Sequence, residues 1–344
     1  MTAEPTPSSS ASSPTSSSSH GLSLYEGSTQ FRHWRFSPEQ LAQTRASLNI
    51  TAVSAIRDAF EADAARLPCF IPYLGSSSEV QFLNADEEHL LVKLYVGKIA
   101  QLCAHFRFPE EVEATAVTYL KRFYLKNTVM DWHPKNVILH FPHSKTIPSD
   151  VLDLEFLVAQ SLGFDFAVWH PHRALWGIWL DIQNLPDAPI EKLRKDYEIA
   201  LSHVRASRLT DAEFIYTPSQ IALACFSLAS PSVASAWAHS KFPTSENPLV
   251  LAVLEPIKAI ITTDGSPPEV EAVREVDRRL KLCKNPEKIV GSNAYKKKQE
   301  ERAKRADEKR KRKAEEVRRA MEEGDPFGSE LAEEAALDDD DDDD

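Results

Sequence analysis

"YLKRFYLKNTVMDWHP", Tyr119 to Pro134, sets aromatic side chains beside basic ones and stops on Trp-His-Pro. Such a strip suits a nucleic acid, whose bases stack on rings while cations follow the phosphates. It also suits one amphipathic helix, and the residues upstream decide between the two. Through "PEEVEATAVTYLKRFYL", Val112, Ala116, Tyr119, Leu120, Phe123 and Tyr124 recur with a 3.6-residue period, the buried stripe of a helix over 109–129. Lys121, Arg122 and Lys126 are then expected on its exposed or snorkelling side. His133-Pro134 ends one element and opens another, because proline restricts the residue before it.

The same period recurs on both sides. In "EEHLLVKLYVGKIAQLCAHF", Leu90, Leu91, Leu94, Tyr95, Ile99, Leu102, Cys103 and Phe106 form one broad stripe, with Pro109 just beyond its end. "FSPEQL" offers Ser37 as N-cap, Pro38 at the first helical position and Gln40 three residues after the cap; "YTPSQIALACFSLA" repeats the scheme with Thr217, Pro218 and Gln220. Further helices are predicted from "PSDVLDLEFLVAQSLGF", where Leu152, Phe156, Ala159 and Leu162 share a face, and from "ALWGIWLDIQ", "PIEKLRKDYEIALSHVRAS" and "NPLVLAVLEPIKAII". No alternating strand pattern competes with them, and with only 10 glycines a fold of tight turns is disfavoured.

At 344 residues and 42% hydrophobic content the chain can bury two cores of ordinary domain size. The net charge of -12 is sorted along the chain. Residues 2–20 are almost wholly Ser, Thr, Pro and Ala, a composition expected to stay disordered. Lys296 to Arg319 holds 13 Lys or Arg against 6 Asp or Glu, and the chain ends in seven aspartates, Asp338 to Asp344. "KRADEKRKRKAEEVRR" fits a nuclear import patch and a solvated single helix equally, and the two are compatible. Its a and d positions offer only alanines, too little for a coiled coil. Cys69, Cys103, Cys225 and Cys283 are far apart and read as reduced thiols of a soluble intracellular protein; no window is apolar enough to span a bilayer.

No catalytic, cofactor-binding or metal-binding residue is assigned. The chain has no P-loop, G-x-G-x-x-G, H-E-x-x-H or G-x-S-x-G. His133, His140 and His143 are close in sequence but bracket prolines and lack a nearby cysteine, unlike a structural zinc set. The region between the tails is acidic in balance, so direct nucleic-acid binding is not expected either.

Four strings in consistent order, "RHWRFSPEQL", "TYLKRFYLKNTVMDWHPK", "VLDLEFLVAQSLGFDFAVWHPHRAL" and "TDAEFIYTPSQIALACFSLAS", resemble the cyclin H family from about Tyr25 to Cys283. The alternatives are a cyclin C-like subunit of a Mediator kinase and, in another class, a nucleic-acid-binding cyclin fold like that of TFIIB. The Trp132-His133-Pro134 ending, "TPSQIALA" and the charged C-terminal helix favour H over C. The resemblance implies an all-α fold of two five-helix cyclin boxes with extra N- and C-terminal helices. It implies a tail over 1–21, an N-terminal helical region over 22–85, a first box over 86–171 and a second over 172–263. Charged helices over 264–323 and an acidic tail over 324–344 complete it. The implied partners are a cyclin-dependent kinase, a RING-type assembly subunit and the TFIIH core, in the nucleus and away from membranes. Glu155 matches the glutamate of the fifth helix that faces the kinase and pairs with a lysine of the third. Leu152 and Phe156 are neighbouring candidates for kinase contact. Trp34 and Arg35 match an N-terminal element that packs against the boxes or the kinase.

The sequence departs from that pattern in one place. "KNVILHFPHSKTIPSDVLDLE" passes from Val137-Ile138-Leu139 almost directly to the fifth helix, so most of the third helix and all of the fourth are missing, as in a mis-spliced form. The expectation is an incomplete first box with the stripes of 87–106, 109–129 and 149–163 open to water. Lys145 is no assured replacement for the lysine that would pair with Glu155. The other outcome is a box closed over the gap with 136–141 as a stub.

Overall fold

In the computed structural model residues 23–64, 80–138, 148–184, 190–242, 247–289 and 291–322 are described, and among them all regular structure is helical. Two short-range signals open the fold. The Ser28 hydroxyl accepts from the Phe31 amide to start α1 (Thr29–His33), and Ser37 and Gln40 close a reciprocal cap at the head of α2 (Pro38–Ala64). Then come α3 (Ala85–Phe106), α4 (Glu110–Phe123), the short α5 (Pro134–Ile138) and α6 (Pro148–Ser161). A second group follows: α7 (Pro171–Ile182), α8 (Ile190–Ser207), α9 (Ala212–Ile215), α10 (Pro218–Ala229), α11 (Pro231–Lys241) and α12 (Asn247–Asp264). The described chain ends in α13 (Val270–Cys283), a 3₁₀ turn at Pro286–Lys288 and α14 (Asn293–Glu322), a largely exposed helix that touches α2.

The second group shows how a complete helical box closes. Thr217 and Gln220 cap α10 reciprocally, as the sequence predicts, and every residue from Ile221 to Ser227 is buried. That burial on all sides follows from position: α7, α8, α11 and α12 surround α10, and their apolar faces meet on it.

The first group closes differently. Its centre is α3, where Leu91, Val92, Val96, Ile99 and Cys103 are buried, with Phe106 left exposed at the end. The expected open stripes are not found on α3 or α4. Ile56 and Phe60 of α2 and Val273, Val276, Leu280 and Cys283 of α13 enter the same core and cover the ground left by the short α5. Polar ties fasten this cover. His133 Nε2 lies 2.9 Å from Asp277 Oδ1, the Asn285 amide donates to Met130 O (3.1 Å), and Lys288 sits 4.1 Å from the centre of the Trp132 ring. Leu154 of α6 and Leu162 just after its end are buried, whereas Phe156, expected on the same inner face as Leu162, points to solvent.

Candidate partner interface

Helix α4 corrects the opening reading of the sequence. Val112 is exposed, and the buried face runs through Ala114, Val117, Leu120 and Phe123. Lys121 and Arg122, expected outside, are 6% and 1% exposed. The reason is that α4 has two packed faces: one against its own group, the other against α1, α9 and the turn after α6. Lys121 Nζ pairs with Glu213 Oε1 (2.5 Å) and donates to Thr210 O (2.6 Å), while the Thr118 hydroxyl donates to Glu213 Oε2 (2.8 Å). Burial pushes the Glu213 carboxyl up, but Lys121 and the Thr118 hydroxyl outweigh it and hold it below the usual range. The acidic head of α4 makes further ion pairs with the second group. Glu110 binds Arg205 and Arg208, Glu113 binds Arg208, and Glu111 binds Arg173.

Arg122 leads to the site. Its guanidinium donates to the Asp165 carbonyl (3.0 Å) and lies 4.9 Å from the Trp34 ring centre. Trp34, 4% exposed, donates from Nε1 to Asp165 Oδ2 (3.1 Å), and His33 Nδ1 lies 2.8 Å from the same oxygen. Asp165 is thus drawn inward by three side chains. Its neighbours face out: Phe164 is 59% and Phe166 48% exposed. The Tyr119 hydroxyl donates to Phe166 O (2.7 Å), and half-exposed Trp169 lies edge-on to Tyr25, continuing the aromatic ridge. Gly163 and Phe164 both adopt left-handed backbone (φ 59° and 60°) after the end of α6. For phenylalanine that conformation costs about 1–3 kcal/mol and persists only where the surroundings impose it, as they often do at functional sites.

Of the residues singled out from the sequence, Phe156 (59% exposed) and the exposed Glu155 sit on α6, eight and nine residues before Phe164. Glu155 has no ion pair among the described residues. Leu152 lies on α6, but its side chain is outside the described residues, as are Lys145, His140 and His143. Trp34 and Arg35 are not part of the outer surface of the ridge: Trp34 holds Asp165 from beneath, and Arg35 donates to Ile215 O (2.6 Å). Phe164, Phe166 and Trp169 were not singled out from the sequence, and Tyr119 was placed only on the buried stripe of its helix. The signal for Phe164, Phe166 and Trp169 is "GFDFAVW", apolar rings alternating with an acid directly after a helix-ending glycine.

Two histidines at the junction, buried His170 and partly buried His89, are both held from protonation by their surroundings. His170 at the head of α7 stacks on His172 and lies 3.0 Å from the Thr115 hydroxyl, and burial together with His172 pushes it from 6.5 to about 4. His89, partly buried beside Arg45 and Asp211, is likewise pushed to about 4 by its partial burial and the Arg45 charge. Both bind a proton more weakly folded than unfolded. Their contribution is therefore intact above about 6.5 and is lost as pH falls toward about 4. Thermal melts should show Tm dropping across that window, and a His170→Gln, His89→Gln variant should show a shallower drop; an unaltered profile would count against this assignment.

Comparison with known proteins agrees with the geometry. A family model for the cyclin C-terminal domain matches residues 170–263, the span of α7 to α12. The chain is 29% identical over 299 residues to Cyclin mcs2 of Schizosaccharomyces pombe, covering 80% of this chain and 90% of the relative. It is 29% identical to Cyclin-H1-1 of Arabidopsis thaliana, covering 75% and 88%. Among solved structures, a chain of the CAK complex from Chaetomium thermophilum bound to ATP-gamma-S aligns with TM-score 0.66 and 27% identity, over 81% of this chain and 94% of that one. A chain of the yeast TFIIK (Kin28/Ccl1/Tfb3) complex aligns with TM-score 0.53 and 26% identity, over 69% and 100%. The all-helical pair of cores, with α10 at the centre of the second, is a cyclin fold. Within the cyclins, the chain is homologous to cyclin H proteins over most of its length, at 29% identity to these relatives.

Proposed function

We propose that this chain binds a cyclin-dependent kinase and holds it in its active conformation, as the cyclin subunit of the CDK-activating kinase and TFIIH kinase module. The observation that carries the proposal is the ridge of Tyr119, Phe164, Phe166 and Trp169, projecting from a polar lock on Asp165, with Phe156 exposed on the preceding helix. A cyclin supplies no reacting group. It shifts the kinase toward the conformer in which the kinase's Lys–Glu ion pair and phosphate-binding parts assemble, by as much as it binds that conformer better than the other. Exposed rings on a locked backbone suit this role, because they bury apolar area without an ordering cost at docking. Glu155 and Leu152 extend the contact surface along α6, while Trp34 and Arg35 set its shape from beneath.

The same reading places the chain in the nucleus with a RING-type assembly subunit, and through these partners with the TFIIH core, where the kinase phosphorylates other cyclin-dependent kinases and the RNA polymerase II tail. The three-subunit composition of yeast TFIIK supports the assembly subunit. The shortened first box belongs to this reading too: only residues 139–147 separate α5 from α6, and the closure by α2 and α13 favours a box that works without the missing helices.

In a full-length chain co-expressed with its kinase, a Phe164→Ala, Phe166→Ala double variant should lose kinase activation by roughly tenfold or more, as truncated interface hot spots do. Its Tm should stay level, since both rings are outside the core. Full activity in that variant would overturn the assignment of the ridge.

A further inference from the structure

Four Ser-Pro or Thr-Pro dipeptides lie in the described residues: Ser37-Pro38, Thr217-Pro218, Ser230-Pro231 and Ser266-Pro267. In three of them proline is the first residue of a helix. The Ser37 and Thr217 hydroxyls are taken by the amides of Gln40 and Gln220, and Ser230 is buried. A kinase cannot reach a hydroxyl spent in this way without unwinding a helix end. Ser266 is different. It is exposed, it makes no hydrogen bond to another described residue, and Pro267-Pro268 hold the chain extended rather than helical behind it.

The location gives a modification there a mechanical meaning. Residues 265–269 join α12, whose apolar face lies in the second core, to α13, whose apolar face closes the first. The entry to this connector is held in place. Lys93 of α3 donates to the Asp264 carbonyl (2.5 Å), and Gly265 packs so closely that a Cβ would meet the Ile261 carbonyl at 2.2 Å. Ser266 follows directly, two residues from the carbonyl that Lys93 grips. We propose that Ser266 is a phosphorylation site for a proline-directed serine/threonine kinase. In the reaction Ser266 Oγ attacks the γ-phosphorus of Mg-ATP, the bond to the β-phosphate oxygen breaks, ADP leaves and the hydroxyl proton passes to solvent or the kinase's base. The product adds a dianion to the connector beside the Lys93 ammonium, strengthening the tie between α3 and the chain leading into α13.

The test treats the full-length chain with a proline-directed kinase and Mg-ATP and maps the phosphates by peptide mass spectrometry. The expected result is phosphate on Ser266 and none on Ser37, Thr217 or Ser230. The mapping keeps Thr6 and Ser13, the other proline-followed hydroxyls, separate. Ser266→Ala should abolish the label in its peptide. Pro267→Ala should abolish it too while leaving the hydroxyl exposed, which separates proline-directed recognition from mere accessibility. An unmodified Ser266, or a Pro267→Ala chain labelled like the wild type, would overturn the proposal.

Discussion

Replacing Glu213 with alanine is expected to cost about 3–5 kcal/mol, the usual penalty for removing one member of a buried ion pair. The variant strands the Lys121 ammonium inside the protein, 5.2 Å from the Phe214 ring centre, with the Thr210 carbonyl as its remaining hydrogen-bond acceptor among the described residues. It also leaves the Thr118 hydroxyl without its acceptor. Water cannot compensate easily, because Lys121 is 6% exposed. Tm should fall by on the order of 10 °C, and a Lys121→Met, Glu213→Leu double variant should recover most of it, because a hydrophobic pair of similar volume carries no desolvation penalty. Thermal and urea unfolding decide the matter: a loss below about 1 kcal/mol in the single variant would show that the pair is hydrated.

The second large effect is at the C-terminus. A chain ending at Asp264 loses Val273, Val276, Leu280 and Cys283, which close the first core, and the ties of Asp277, Asn285 and Lys288 to residues 128–138. Each large aliphatic group withdrawn from a core costs about 1.5–3 kcal/mol, so the total rivals the roughly 5–15 kcal/mol that keeps a domain folded. Amides of α3 and α4 should exchange freely with solvent in the truncated chain. Those of α10 should stay protected, since nothing that surrounds α10 is removed. Equal protection of the two cores would mean that α13 only decorates the first.

These two effects mark where reading the chain as a string stops, and other features mark where it succeeds. The helix starts are local. Ser37 with Gln40 and Thr217 with Gln220 close their caps within three residues, so no distant segment can alter them. The family was likewise legible, because several motifs in one order outweigh any single spacing. The environment of α4 was not. A 3.6-residue period identifies a helix with one greasy face, but it cannot report that a second element will cover the polar side as well.

The sequence by itself therefore determined the helical class, the helix starts, the charge-segregated tail and membership of the cyclins. Each of these depends on neighbouring residues or on composition. Only the tertiary structure decided that Lys121 and Arg122 are interior, because their partners Glu213 and Asp165 come from elements 92 and 43 residues away. It alone placed Trp34, a contact candidate, in the interior as the anchor of Asp165. It also assigned α13 to a core whose other helices lie more than a hundred residues earlier. The physical reason is common to all three. Burial depends on what arrives from elsewhere in the chain, and local periodicity carries no record of it.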